Sequence, residues 1–237
     1  MRSIKAIFTK QARDMFRNPA VLVLFIVFPA VAFIMTQLIA KSNDDIPNNM
    51  FVTMMAAMFA GMGLVTSSSA VIAEDIERKS LRFLIIAGVK PHQYLIGTGG
   101  FFLLAGAVTS VVFALIGDFT GTETLKFLTV MITGSAASII LGAVIGMLSK
   151  NQQAATSLSM PIAVIIGFTP MVASFSETVE KYASILYTQQ INVIVNDFSA
   201  NFIQALIVIG MNIAVLLILF IVTYRKKGYR EESIYRS

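Results

Sequence analysis

Cysteine is absent from the 237-residue sequence, and histidine occurs once, at His92. Disulfides, Cys-ligated zinc, iron–sulfur clusters and a thiol nucleophile are thereby excluded, and a single imidazole makes no His-rich metal site. Charge is also scarce. Lys and Arg number 18 and Asp and Glu 13, together 13% of the chain against roughly 25% in an ordinary soluble domain. With 56% apolar residues there are too few polar groups to cover a globule, so the chain reads as an integral membrane protein.

Familiar motifs are missing too. No G-x-x-x-x-G-K-[ST] is present to cradle nucleotide phosphates, so the chain is not expected to bind ATP by itself. The absence of H-E-x-x-H and of an acidic pair within an apolar stretch argues against intramembrane proteolysis. Proton- or ion-coupled transport usually places an ionisable side chain inside the bundle, and the apolar stretches hold none. Ion coordination by backbone carbonyls and hydroxyls stays open.

What is present is six uncharged apolar runs, roughly 20–40, 51–73, 94–116, 127–148, 154–176 and 202–224. Each is close to the ~20 residues that carry a helix across ~30 Å of hydrocarbon. The runs are continuous rather than alternating, which points to helices and not barrel strands. The residues between them fall into pieces of 19, 10, 20, 10, 5, 25 and 13, none large enough for a soluble domain, so residues 1–237 read as one transmembrane unit. Of the 18 basic residues, 15 flank one side of the spans; Lys41, Lys126 and Lys181 lie on the other with seven acids. The basic side is expected to be cytoplasmic, with both termini there. Charge placed in this way follows topology, which makes nucleic acid a poor partner.

At the N-terminus, Ile4, Phe8, Ala12 and Met15 fall near one helical face and Lys5, Lys10, Arg13 and Arg17 elsewhere, predicting a helix along the inner membrane surface. The first apolar run is too long for a signal peptide and lacks a small-residue cleavage site. Asn18 and Pro19 suit the N-cap and first turn of the first span, and Pro29 should bend it.

The loop from Glu74 to Gln93 holds a second short helix. Leu81, Leu84 and Ile85 share a face, Arg78 and Arg82 are one turn apart, and Gly88 then Pro91 supply stop signals. By periodicity alone this is either a membrane flank obeying the charge rule or a docking helix for a cytoplasmic protein. The run of acids, the Leu-rich helix and Gly88-Val89-Lys90-Pro91-His92-Gln93-Tyr94-Leu95-Ile96-Gly97 together resemble the region before the third span of type-two ABC exporter permeases. Arg17-Asn18-Pro19 entering the first span, Phe28-Pro29 inside it and the six-span layout are similar as well. Where members often carry Gly-Thr, this chain has Lys79-Ser80, and the usual proline-rich turn after the fifth span is not evident.

The resemblance implies a half-transporter that pairs with a second permease copy, in a homodimer or heterodimer. Each copy docks on a separate ATPase subunit that binds ATP and Mg, and this chain holds no cofactor. The implied ATPase-contact set is Glu74, Asp75, Glu77, Arg78, Leu81, Arg82, Phe83, Lys90 and Pro91, with Arg78, Arg82 and Phe83 making the contact itself. The location implied is a bacterial cytoplasmic membrane, among membrane lipids.

Five further features carry two readings each. The 25 residues from Glu177 to Asn201, apolar over Ala183–Val195, form either a hairpin re-entering the outer leaflet, as the resemblance suggests, or a surface helix. Met50, Met54, Met58 and Met62 line either a wall for apolar cargo or a packing face. Thr66-Ser67-Ser68-Ser69 is a polar vestibule or a site of close helix approach, and Gly142-x-x-x-Gly146 packs within the bundle or between protomers. Pro161 and Pro170, flanking Gly167, should break or bend the fifth span, a candidate gate. Met54, Met58, Met62, Thr66, Phe168 and Pro170 are the candidate translocation path. The leading expectation is an exporter permease for an amphipathic or hydrophobic cargo such as a drug, antimicrobial peptide or lipid-like molecule. The alternatives are a stand-alone channel or secondary carrier, and a sensory or interaction protein without transport.

Overall fold

Eleven α-helices, a 3-10 turn (Ala40–Ser42), a π-helical stretch and no strand make up the described residues of a computed structural model covering 2–17, 19–43, 46–47 and 49–236. Side chains are described for these except at 2–3, 16–17, 20 and 228–236. The expected N-cap Asn18, and Asp44 and Asp45 of the acidic flank, lie outside the described residues.

Six segments are long and apolar enough to cross a membrane: Val21–Ser42, Met50–Glu77, Pro91–Ile116, Thr122–Leu148, Gln152–Ala173 and Phe202–Lys227. They match the six apolar runs, and their ends extend where polar residues continue a helix that hydropathy alone does not register. Helix α1 (Arg2–Arg17) precedes α2 (Pro19–Leu38), the first span. The second span comprises α3 (Met50–Met58), a six-residue π-helical stretch (Phe59–Leu64) and α4 (Val65–Glu77). After α5 (Ser80–Ile86) come α6 (Pro91–Ile116), α7 (Thr122–Leu148) and α8 (Gln152–Ala173), the third, fourth and fifth spans. Helices α9 (Glu177–Ala183) and α10 (Tyr187–Asn196) lead to α11 (Phe202–Arg236), which carries the sixth span and continues as helix through the basic tail.

The second and fourth spans are the centre: 72% and 67% of their core windows are buried, against 22%, 28% and 17% for the first, fifth and sixth. Their contact explains both small-residue signals. A Cβ on Gly142 would stand 1.9 Å from Ser68 Oγ and 2.6 Å from the Val65 carbonyl, and one on Gly146 would stand 2.8 Å from the Ser69 carbonyl. The G-x-x-x-G therefore packs within the bundle. Ser67, Ser68 and Ser69 are buried, with the Ser68 and Ser69 hydroxyls donating to carbonyls of their own helix, so this part of the cluster is a helix-approach surface and not an open vestibule. Phe25, Phe59 and Phe113 stack edge-on or tilted across the first, second and third spans, with centroids 5.3 and 5.9 Å apart.

Helix α1 packs on α6. Its buried line is Ile7, Gln11 and Met15, flanked by half-buried Ile4, Phe8 and Ala12, so the apolar stripe predicted from the sequence forms the edge of the packed face. A Cβ on Gly97 of α6 would lie 2.7 Å from Ile7, which is how closely the two helices meet.

Prolines do not interrupt the fifth span: α8 runs unbroken through Pro161 and Pro170. The ring of Pro170 removes the N–H that would bond the Ile166 carbonyl, and Thr188 Oγ1 of α10 donates to that carbonyl instead at 2.8 Å. Between α9 and α10 the turn lies level with the middle of the spans, with Ser184 and Ile185 exposed. Ser138 Oγ and Tyr187 Oη are hydrogen-bonded at 3.0 Å, and Asn212 Nδ2 donates to the Ile185 carbonyl at 2.8 Å. At 1.5 Å rise per residue, Ser138 is ~24 Å along α7 from Thr122, and Asn212 ~15 Å along α11 from Phe202. The segment is thus a helical hairpin whose second arm, α10, packs among the spans while α9 lies exposed against α8.

Candidate functional site

At the end of the bundle that carries the basic residues, the second span stops at Glu77 and the chain turns sharply into α5. Lys79 makes the turn in the left-handed region, with φ of 59°, a conformation that disfavours residues with a Cβ. The same turn corrects one expectation: Arg78 lies at the end of α4 and Arg82 on α5, so the two do not share a helix face. Arg78 instead pairs with Glu74 one turn back, at 2.7 Å.

The C-terminus of α5 is closed by Gly88, at φ of 78°, whose N–H bonds the Ile85 carbonyl while the Val89 N–H bonds that of Leu84. These two bonds define a Schellman cap, as the glycine predicted. Pro91 then occupies the first turn of α6, where a missing N–H is harmless, and Gln93 Oε1 accepts from the Lys90 N–H at 3.0 Å.

What fixes α5 to the bundle is a buried carboxylate. Asp75 is 3% exposed and accepts from Lys10 Nζ and Gln11 Nε2 of α1, Ser80 Oγ of α5 and Tyr94 Oη of α6. The Gln11, Ser80 and Tyr94 bonds measure 3.2, 2.9 and 2.9 Å. An isolated carboxylate is expensive to bury, and four donors from three other helices offset that cost. Leu81 adds an apolar anchor in a cluster with Ile7, Ile72, Tyr94, Ile140 and Phe220, side chains drawn from α1, α4, α6, α7 and α11. Glu77 extends the connection to the fifth span: its Oε2 accepts from the Gln152 N–H at 3.0 Å, at the positive end of α8.

Of the nine residues assigned to a contact surface, Asp75 and Leu81 are turned inward and serve to hold α5. Glu77, Arg78, Phe83 and Lys90 are exposed, with Glu74, Arg82 and Pro91 half-buried. Phe83 is 68% exposed and Ile86 56%, an apolar tip on a seven-residue helix. Cavities lie on both sides of it. One, of about 500 Å³, is bounded by Ala6, Ile7, Lys10, Phe83 and Leu84. The other, of about 460 Å³, gathers Glu77, Lys79, Arg82, Lys150 and Lys227. Gln11, Lys150 and Lys227 were given no role by sequence reasoning, while Lys10 stood only on the polar face of the N-terminal helix and Tyr94 only within the 88–97 motif. Gln11 and Lys10 stand 64 and 65 residues from Asp75, and no local pattern marks them.

The candidate path residues divide between two spans. Met54, Met58, Met62 and Thr66 form a half-buried line on the second span, interrupted in register by the π-helical stretch. On the fifth span Pro170 is buried and Phe168 partly exposed. The two sets meet at one place: a Cβ on Gly61 would lie 2.6 Å from Gly167 Cα, and one on Gly167 would lie 2.6 Å from Met62 Cγ.

Six spans around a buried helical centre define a multi-pass membrane protein, with a short helix held at its basic end. Residues 2–187 match the ABC-2 type transporter family, and the chain belongs to it. It is accordingly the membrane permease component of an ABC transporter, a family whose members associate with ATPase subunits. No curated protein matches the sequence.

Proposed function

We propose that this chain is an exporter permease of a bacterial cytoplasmic membrane. It would move an amphipathic or hydrophobic cargo, such as a drug, antimicrobial peptide or lipid-like molecule, with energy from ATP and Mg bound on separate ATPase subunits. A second permease copy, identical or related, completes the path. The basic end is cytoplasmic on this reading, which follows from the 15-to-3 distribution of Lys and Arg. The α9–α10 hairpin then enters from the outer leaflet.

The observation that carries the reading is the construction of α5. A solvent-facing tip at Phe83 sits on a helix whose base, through Asp75 and Leu81, is bonded to helices that run the length of the bundle. A helix meant only to flank a membrane needs no such base. The tip and its two flanking cavities offer an ATPase subunit an aromatic knob beside an apolar recess and a cationic one, the kind of compact anchor that dominates interface energy.

The test is co-purification with an ATPase subunit encoded beside this chain, and stimulation of its ATP hydrolysis. Changing Arg82→Ala and Phe83→Ala together is expected to weaken association by about tenfold or more while the permease remains membrane-inserted. Undiminished binding and coupling in that variant would remove the contact assignment. Gradient-driven flux by the purified chain alone, without nucleotide, would replace the exporter reading with a carrier or channel.

A further inference from the structure

Where the third span begins and the sixth ends, two cations line one groove. Tyr224 Oη donates to the Val89 carbonyl at 3.0 Å, and the rings of Tyr94 and Tyr224 stack with centroids 5.9 Å apart. These contacts pin the start of α6 to α11, and they place the adjoining residues, Lys90 and Arg225, at one groove of about 560 Å³. His92 also lines it, and among the described residues no carboxylate does. Like charges gathered without an acid between them repel, so the arrangement favours an anion at the mouth.

Further in, the walls change character. Ile96 lies six residues beyond Lys90 on α6, and Ile221 and Leu217 lie four and eight residues before Arg225 on α11, so the apolar surface extends ~6–12 Å inward from the cations. Ile96 and Ile221 are 53% and 39% exposed and belong to membrane spans, so their free faces meet hydrocarbon, not water. A cationic mouth at the membrane boundary above an apolar trough in the hydrocarbon is complementary to an amphiphile with an anionic head. The cavity beside α5 lacks this form: it contains Glu77 among its cations and lies at a loop.

We propose that this groove is a binding site for an anionic phospholipid of the leaflet at the basic end. The phosphodiester lies between Lys90 and Arg225, and an acyl chain runs along Ile96, Leu217 and Ile221. The site is independent of cargo and of any ATPase, and it takes Lys90 out of the implied ATPase contact. A lipid seated here bridges the third and sixth spans behind α5, and so bears on the helix cluster into which Leu81 is anchored.

Native mass spectrometry of the full chain in mild detergent tests it, with dioleoyl phosphatidylglycerol, dioleoyl phosphatidylcholine and inorganic phosphate as probes. Phosphatidylglycerol is expected to be retained about tenfold better than phosphatidylcholine of the same chains, since two cations face its uncompensated charge. Lys90→Gln with Arg225→Gln should abolish that preference. Lys5→Gln with Arg13→Gln, which removes the same charge from the exposed side of α1, should leave it intact. Ile96→Trp, at a lipid-facing position that tolerates bulk, should fill the trough and lower phosphatidylglycerol retention even if the double cation variant does not fold. Equal retention of the two lipids, an equal loss in the α1 control, unchanged retention in Ile96→Trp, or displacement of the lipid by millimolar phosphate would each overturn the proposal.

Discussion

Asp75 carries more of the structure than its place in a charged loop implies. Its carboxylate collects donors from Lys10, Gln11, Ser80 and Tyr94, and removing it leaves the buried Tyr94 hydroxyl without this acceptor and the Gln11 amide with only a long 3.5 Å bond to Thr98 Oγ1. Lys10 is partly exposed, so water takes over much of its share. Asp75→Ala is expected to lower stability by about 2–3 kcal/mol, the penalty for orphaned buried donors, and to loosen α5 from α1. Thermal unfolding in detergent reads the first effect and hydrogen exchange at Ser80–Ile86 the second; an unshifted midpoint with unchanged protection would refute the hub assignment. The sequence showed that this loop begins with acids, but not which acid turns inward. Glu74, Asp75 and Glu77 are chemically near-equivalent in a string of letters, and only the angular position of each on α4 selects Asp75.

At the scale of elements, close approach decides what a glycine is for. Gly142 faces Ser68 and the Val65 carbonyl at distances no Cβ can share, while nothing lies within 4 Å of a Cβ placed on Gly210 of α11. Gly142→Ala is therefore expected to force the two central spans apart and to cost about 1–3 kcal/mol through overpacking. Gly210→Ala should be neutral or stabilising by about 0.5–1 kcal/mol, because alanine is the better helix former. Paired thermal melts of the two variants check this, and equal effects would show that helix propensity, not packing, governs both sites. The spacing of small residues was legible from the sequence, as was the stop signal at Gly88. The partner of Gly142 was not, because a G-x-x-x-G looks the same whether its neighbour is in the same chain or in another. Pro170 shows a related limit. A proline announces a freed carbonyl, yet the donor that satisfies it, Thr188, lies 22 residues from the Ile166 carbonyl on a segment whose own position was undetermined.

Taken whole, the molecule is a bundle with a helical hairpin set into the end opposite α5. Because the chain has no cysteine, single-Cys variants probe this layout cleanly. From outside intact cells, an impermeant thiol reagent should label Glu177→Cys, and should label Lys226→Cys only after permeabilisation. Ile185→Cys, at the hairpin turn beside Asn212, should react at least about tenfold more slowly than Glu177→Cys, since it lies level with the middle of the sixth span, away from bulk water where a thiolate forms. Comparable rates at Ile185 and Glu177 would return the segment to the membrane surface. Labelling of Lys226→Cys without permeabilisation would invert the topology.

The sequence by itself determined what depends on neighbours along the chain. It specified six spans, because a helix crosses hydrocarbon only when ~20 consecutive residues are apolar. It also specified the charge asymmetry that orients them, and a short helix ended by Gly88 and followed by Pro91. Only the tertiary structure decided that Asp75 and Leu81 face inward while Phe83 faces out, that the second and fourth spans are the buried pair, that α10 of the 177–201 segment packs among the spans, and that Lys90 and Arg225 share a groove. Each of these is a pairing of residues on different helices, set by how whole faces fit together in three dimensions. Hydropathy in one dimension carries no record of which faces meet.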